Sequence, residues 1–113
     1  LYARLEGRAA IPPENQVFPD PAALGAVTRL LEEHGGADLC YAGLGLTGHL
    51  AFNDPPETAA ERQSFAELPT RRITLSPITR AQICLAGTDG IWDTIPTRAV
   101  TVGMKEILAA RLL

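Results

Sequence analysis

The sequence predicts an α/β fold: a mostly parallel, Rossmann-like sheet with helices on both faces, incomplete within these 113 residues. Three observations point there. Helical periods and short apolar runs alternate along the chain. Two segments open on a capping side chain followed by proline, Asp20-Pro21 and Ser76-Pro77. One apolar run, Leu39-Cys40-Tyr41-Ala42, leads straight into glycines and then ionisable groups, the order found where ligands bind at the carboxyl edge of parallel strands.

Taken in order, residues 1–8 read as the tail of a helix. Ile11-Pro12-Pro13-Glu14-Asn15 is a loop, because consecutive prolines cannot continue a helix. Asp20 can accept from free amides and Pro21 suits the first helical position, after which Leu24, Val27, Leu30 and Leu31 share one face. His34 complements the negative end of that helix, and Gly35-Gly36 stops it. Leu39–Ala42 reads as a buried strand. Residues 55–70 read as an exposed loop or a short helix. Arg72–Leu75 is a short strand, and Ser76-Pro77 opens a helix with Ile78, Ala81, Gln82 and Leu85 on its period and Gly87 as its stop. Ala99–Val102 is the next strand, and Gly103 leads into a closing helix that runs through Ile107-Leu108 to Leu113. Three strands and three helices are few for a sheet covered on both faces. Residues 1–113 therefore read as part of one domain of a longer chain. Its open sheet edge would be completed by further segments or by a second copy, as in a homo-oligomer.

Composition narrows the function classes. Hydrophobic residues make up 46% and charged residues 20%, which is globular rather than disordered. A net charge of −3 and a pI near 5.3 leave no basic stripe for nucleic acid and no polybasic patch for a membrane surface. No apolar run is long enough to span a bilayer, and the charged first eight residues are not a signal peptide. Cys40 and Cys84 stand alone in apolar surroundings and read as reduced thiols of a cytoplasmic protein, not as a zinc site or a disulfide framework. Nine of the ten basic residues are Arg, and Ala is abundant, as in a GC-rich bacterial genome. Phe18, Tyr41 and Trp92 read as packing groups, and Arg71-Arg72 as a solvated face.

The window Gly43-Leu44-Gly45-Leu46-Thr47-Gly48-His49-Leu50-Ala51-Phe52-Asn53-Asp54-Pro55-Pro56 carries the chemistry. Its glycines fit G-x-G-x-x-G, yet Arg62-Gln63-Ser64, about 20 residues on, offers no acidic partner for a ribose. A histidine and a carboxylate five residues apart suit general acid–base work, since imidazole as a class titrates near neutrality.

Gly48-His49-Leu50-Ala51-Phe52-Asn53-Asp54-Pro55 resembles the signature of the glucosamine-6-phosphate deaminase/isomerase family, G-[IL]-G-x-D-G-H-[IL]-A-F-N-E-P. Asp38-Leu39 is similar to the family's strand lead-in. Asp93-Thr94-Ile95-Pro96-Thr97-Arg98-Ala99-Val100-Thr101-Val102-Gly103, with Ile107-Leu108 after it, is similar to its V-P-x-x-A-[LI]-T-[VL]-G-x-x-x-[LI]-[LM] segment. A sister family, the 6-phosphogluconolactonases, shares the G-x-D-G-H core but continues A-S-L-F-P, unlike Ala51-Phe52-Asn53-Asp54 here.

The resemblance implies an amino-sugar 6-phosphate as the small-molecule partner. It implies ring opening and aldose–ketose proton transfer as the reaction, with no metal or organic cofactor. It places the ring-opening histidine on His49 and its carboxylate partner on Asp54. It implies that Asn53, Gly45 and Gly48 shape the turn beside the substrate. Two positions depart from the pattern. Thr47 stands where the family usually has Asp, as a third member of the catalytic set that cannot carry charge. Asp54 stands for Glu and is shorter by about 1.5 Å, one carbon–carbon bond. The family's phosphate-binding turn, its C1/C2 base and a phosphate-binding lysine are expected outside residues 1–113. A phosphate-binding arginine is often found where Cys84-Leu85 stands, with Arg80 nearby. The alternatives are a 6-phosphogluconolactonase-like hydrolase and a catalytically inactive sugar-phosphate-binding paralogue or regulator.

Overall fold

The structure, a computed structural model, describes Gly7, residues 10–87 and residues 90–113. The helix tail read at residues 1–8 lies outside the described residues except for Gly7. Among the described residues, four helices follow in chain order: α1 (Gly25–Glu33), α2 (Ala59–Ser64), α3 (Pro77–Gly87) and α4 (Met104–Leu108). Two strands, β1 (Arg71–Thr74) and β2 (Arg98–Thr101), lie either side of α3 in the chain. Single 3₁₀ turns occupy Pro13–Asn15, Phe65–Glu67 and Trp92–Thr94.

The chain is an α/β fragment, but its described sheet is not the mostly parallel one expected. β1 and β2 pair antiparallel, with Arg71 opposite Thr101 and Thr74 opposite Arg98. The Leu75 amide extends the ladder by donating to Thr97 O at 3.0 Å. A parallel link survives as one bridge, Leu39 to Leu112, with Cys40 N donating to Leu112 O at 2.9 Å. The expected buried strand at 39–42 is therefore an open edge: Leu39 is half exposed and Tyr41 is 92% exposed. Phe18 and Trp92, read as packing groups, are likewise exposed. Trp92 carries the Arg80 guanidinium 4.4 Å above its ring, a cation–π contact. Among the described residues, the small core is Leu75, Cys84, Ile95, Met104 and Ile107, drawn from α3, α4 and the connections after β1 and before β2.

Helix starts follow local hydrogen bonding. Ser76 Oγ accepts from the Thr79 amide at 3.2 Å and caps α3. Thr58 and Glu61 form a reciprocal capping box on α2. Asp20 does not cap α1: its Oδ1 takes the Ala22 amide at 2.7 Å in a local turn, and the helix begins at Gly25. α1 ends as expected, with His34 Nδ1 donating to Leu30 O at 2.9 Å and Gly36 N to Leu31 O at 2.7 Å. Gly35 and Gly36 hold φ of +74° and +94°, open only to glycine without strain. α4 stops at Leu108 rather than running to Leu113, because Arg111 N donates to Ala37 O and draws the last residues alongside 37–40. Among the described residues, no helix is long and apolar enough to cross a membrane.

Candidate active site

The 43–56 segment folds back on itself at the end of β2. Leu50 bridges both Leu44 and Asn53 antiparallel. The Gly45 amide donates to His49 O and the Gly48 amide to Gly45 O, each at 2.9 Å. Gly48 takes φ +82°, and Ala51 takes φ +52°, a left-handed conformation that a side chain adopts only under constraint. The constraint comes from β2: Thr101 Oγ1 accepts from the Phe52 amide at 3.1 Å and donates to Val102 O at 3.0 Å.

His49 is buried, 5% exposed, with its ring laid flat on Gly45. A Cβ at Gly45 would stand 1.9 Å from His49 Nε2, so only glycine leaves room for the imidazole. The other ring nitrogen faces two oxygens. Nδ1 lies 2.8 Å from Thr47 Oγ1 and 3.2 Å from Asp54 Oδ1. Thr47 Oγ1 donates to Asp54 Oδ1 at 3.0 Å. A hydroxyl has one proton, and here it goes to the carboxylate. Thr47 therefore accepts from His49, which places the proton of the neutral ring on Nδ1 and leaves a lone pair on Nε2. The shorter Asp54 still reaches the ring, and the Thr47 hydroxyl bridges the two.

His49 also lines a cleft of about 480 Å³ together with Cys40, Tyr41, Gly45, Phe52 and Gln82, among others. The structure thus brings together His49, Asp54, Thr47 and Gly45. Gly48 and Asn53 shape the turn and line a separate cavity of about 190 Å³ with Pro55 and Met104. The amides of Gly45 and Gly48 are both used within the turn. Asn53 is sealed at 1% exposure. Its Nδ2 donates to Leu50 O at 3.0 Å and Val102 O at 2.9 Å, and its Oδ1 accepts from Arg71 at 2.7 Å. Asn53 is a bracket between the site segment, β1 and the end of β2.

Arg71 and Gln82 are residues that sequence reasoning missed. Arg71, read as solvated, is half-buried on the inner face of β1 beside Ile73, while Arg72 faces out and donates to Pro21 O at 2.7 Å. The period of two in β1 was the signal that separates them. Burial lowers the Arg71 pKa, opposed by the nearby Glu106 charge. Glu106 is itself buried, which pushes its carboxyl upward. Hydrogen bonds from the Thr28 hydroxyl and from the Thr70, Glu106 and Gly103 amides outweigh that, and its pKa is lowered overall. Gln82 reaches back from α3 and accepts from the Leu46 amide at 3.0 Å. Among the described residues, no group of three or more His, Cys, Asp or Glu side chains could hold a metal ion.

No family model matches the chain. Curated relatives do. A glucosamine-6-phosphate deaminase of Mycolicibacterium smegmatis is 37% identical over 93 residues, 82% of this chain and 33% of the relative. One from Caenorhabditis elegans is 38% identical over 84 residues, 74% of this chain and 28% of the relative. The chain spans about a third of the length of the curated relatives it matches. Among solved structures, a monomeric glucosamine-6-phosphate deaminase of the NagB superfamily superposes with a TM-score of 0.69 at 24% identity. That match covers 88% of this chain and 40% of the other, and it speaks for a shared fold. Over the part of the family's length that it spans, the chain belongs to the glucosamine-6-phosphate deaminase family.

Proposed function

We propose that the full-length protein is a glucosamine- or galactosamine-6-phosphate deaminase/isomerase. It opens the ring of an amino-sugar 6-phosphate, moves a proton between C1 and C2, and releases ammonia. The observation that carries this reading is the buried His49, whose Nδ1 is tied to Thr47 and Asp54 and whose side chain lines a cleft.

In ring opening, the C1 hydroxyl loses a proton as the C1–ring oxygen bond breaks, and the ring oxygen gains one. A single imidazole can do both, with Nε2 taking the first proton and returning it to the ring oxygen. The Asp54 carboxylate, bridged by Thr47, favours the transient imidazolium. The phosphate-binding groups and the base at C2 would come from outside these residues, on a Rossmann-like parallel sheet to which the 39–42 edge contributes a strand. The deaminase relatives support this reading. Incubating the full-length protein with glucosamine 6-phosphate and with its galacto epimer should yield ammonia and a ketose phosphate from at least one. Folded protein that turns over neither contradicts the reading.

A further inference from the structure

Gln82 shares the cleft with His49 but has no part in the proton relay. Its Oε1 takes the Leu46 amide at 3.0 Å. A backbone N–H can only donate, so the orientation of this carboxamide is settled, oxygen toward Leu46 and NH₂ away from it. The NH₂ group carries two N–H donors and has no hydrogen-bond partner among the described residues. Much of the remaining lining is apolar, including Ala42, Leu44, Val102 and Ile107. A half-buried donor pair on such a wall is unsatisfied by protein and available to a ligand.

We propose that Gln82 is a substrate-binding residue, its NH₂ donating to an acceptor oxygen of the sugar phosphate held against His49, while its oxygen fixes the Leu46–Thr47 turn. The inference rests on the sugar-phosphate reading above. A neutral amide suits the position. It orients an oxygen without adding a charge beside the imidazole, and it does not compete for the proton that His49 moves. Its carboxamide also couples the two tasks, since the Leu46 contact that presents the donors also holds the residue before Thr47.

Two variants of the full-length protein separate these tasks. Gln82→Glu keeps an acceptor for the Leu46 amide but replaces the donors by a negative oxygen. Gln82→Met keeps the length and loses both. The readouts are kcat and KM for glucosamine 6-phosphate and the shift in Tm that this ligand induces. For Gln82→Glu we expect KM to rise about tenfold or more with kcat within about threefold, and the ligand-induced shift to collapse while the ligand-free Tm is unchanged. Gln82→Met should raise KM and also lower the ligand-free Tm. A KM and a ligand-induced shift for Gln82→Glu within about twofold of wild type would overturn the proposal, leaving Gln82 as a loop clamp alone. If the wild type is stabilised by the sugar phosphate but releases no ammonia, deamination fails and the Tm shifts still decide Gln82. If it is neither stabilised nor active, both readings fall.

Discussion

Gly45 has no room for a methyl group, and that fact decides where the imidazole lies. In Gly45→Ala the new Cβ would meet His49 Nε2 at 1.9 Å, so the ring must leave its seat. Activity of the full-length protein should fall about 100-fold or more, since displacement of a reacting group by ~1 Å already costs that much. Gly43→Ala is the control for backbone effects on stability: its Cβ meets nothing within 4 Å, and its Tm should match wild type. Thr47→Val removes the hydroxyl that accepts from His49 and donates to Asp54 without changing the side-chain shape. It should lower kcat about tenfold or more, and Thr47→Ser should restore most of it. These residues were legible in the sequence because Thr47, His49 and Asp54 lie within eight positions and meet through a local fold-back. Gln82 was missed and the bracing contacts of Asn53 were not legible, because their decisive partners, Leu46, Val102 and Arg71, are distant in the chain.

At the scale of elements, Glu106 clamps three of them. Its Oε1 accepts from Thr28 of α1 and from the Thr70 amide before β1, at 3.1 Å for the latter, while its backbone belongs to α4. Its carboxyl pKa is lowered in the folded state, so it contributes stability at pH above the ordinary glutamate range. That contribution is lost as pH falls through its folded-state value. Thermal melts of the full-length protein should therefore drop toward acid pH, and Glu106→Gln should flatten that acid slope while losing stability at neutral pH. A slope unchanged by the substitution would show that other carboxylates carry it. Gly103 makes the α4 start equally strict: a Cβ there would stand 2.1 Å from Leu68 O, a backbone atom that cannot turn aside. Helix boundaries were legible where a side chain caps its own helix, as at Ser76, and not where it closes a competing turn, as at Asp20. The sheet direction was not legible, because apolar runs of four residues carry no information on which way their neighbour runs.

At the scale of the molecule, exposed apolar side chains flank the site in the chain: Leu39, Tyr41, Leu44 and Leu46 in and before the site segment, with Leu112 bridged to Leu39. An open, apolar strand edge pairs readily with another chain. Expressed alone, the 113-residue chain should bind a hydrophobic dye and self-associate in sedimentation, and lysine at Leu39 and Leu44 should reduce both. The α/β class was legible from alternating patterns, whereas the exposure of this edge depends on how much chain surrounds it. The site adjoins this edge, since the buried His49 and the exposed Tyr41 and Leu44 line one cleft. The most direct test of its assigned chemistry is the rate of ammonia release from glucosamine 6-phosphate by the full-length protein and its His49→Gln variant. A fall of about 100-fold or more, with Tm and ligand-induced stabilisation kept, is the expected result for loss of a general acid–base group. A variant that releases ammonia within about threefold of wild type would contradict the role given to His49.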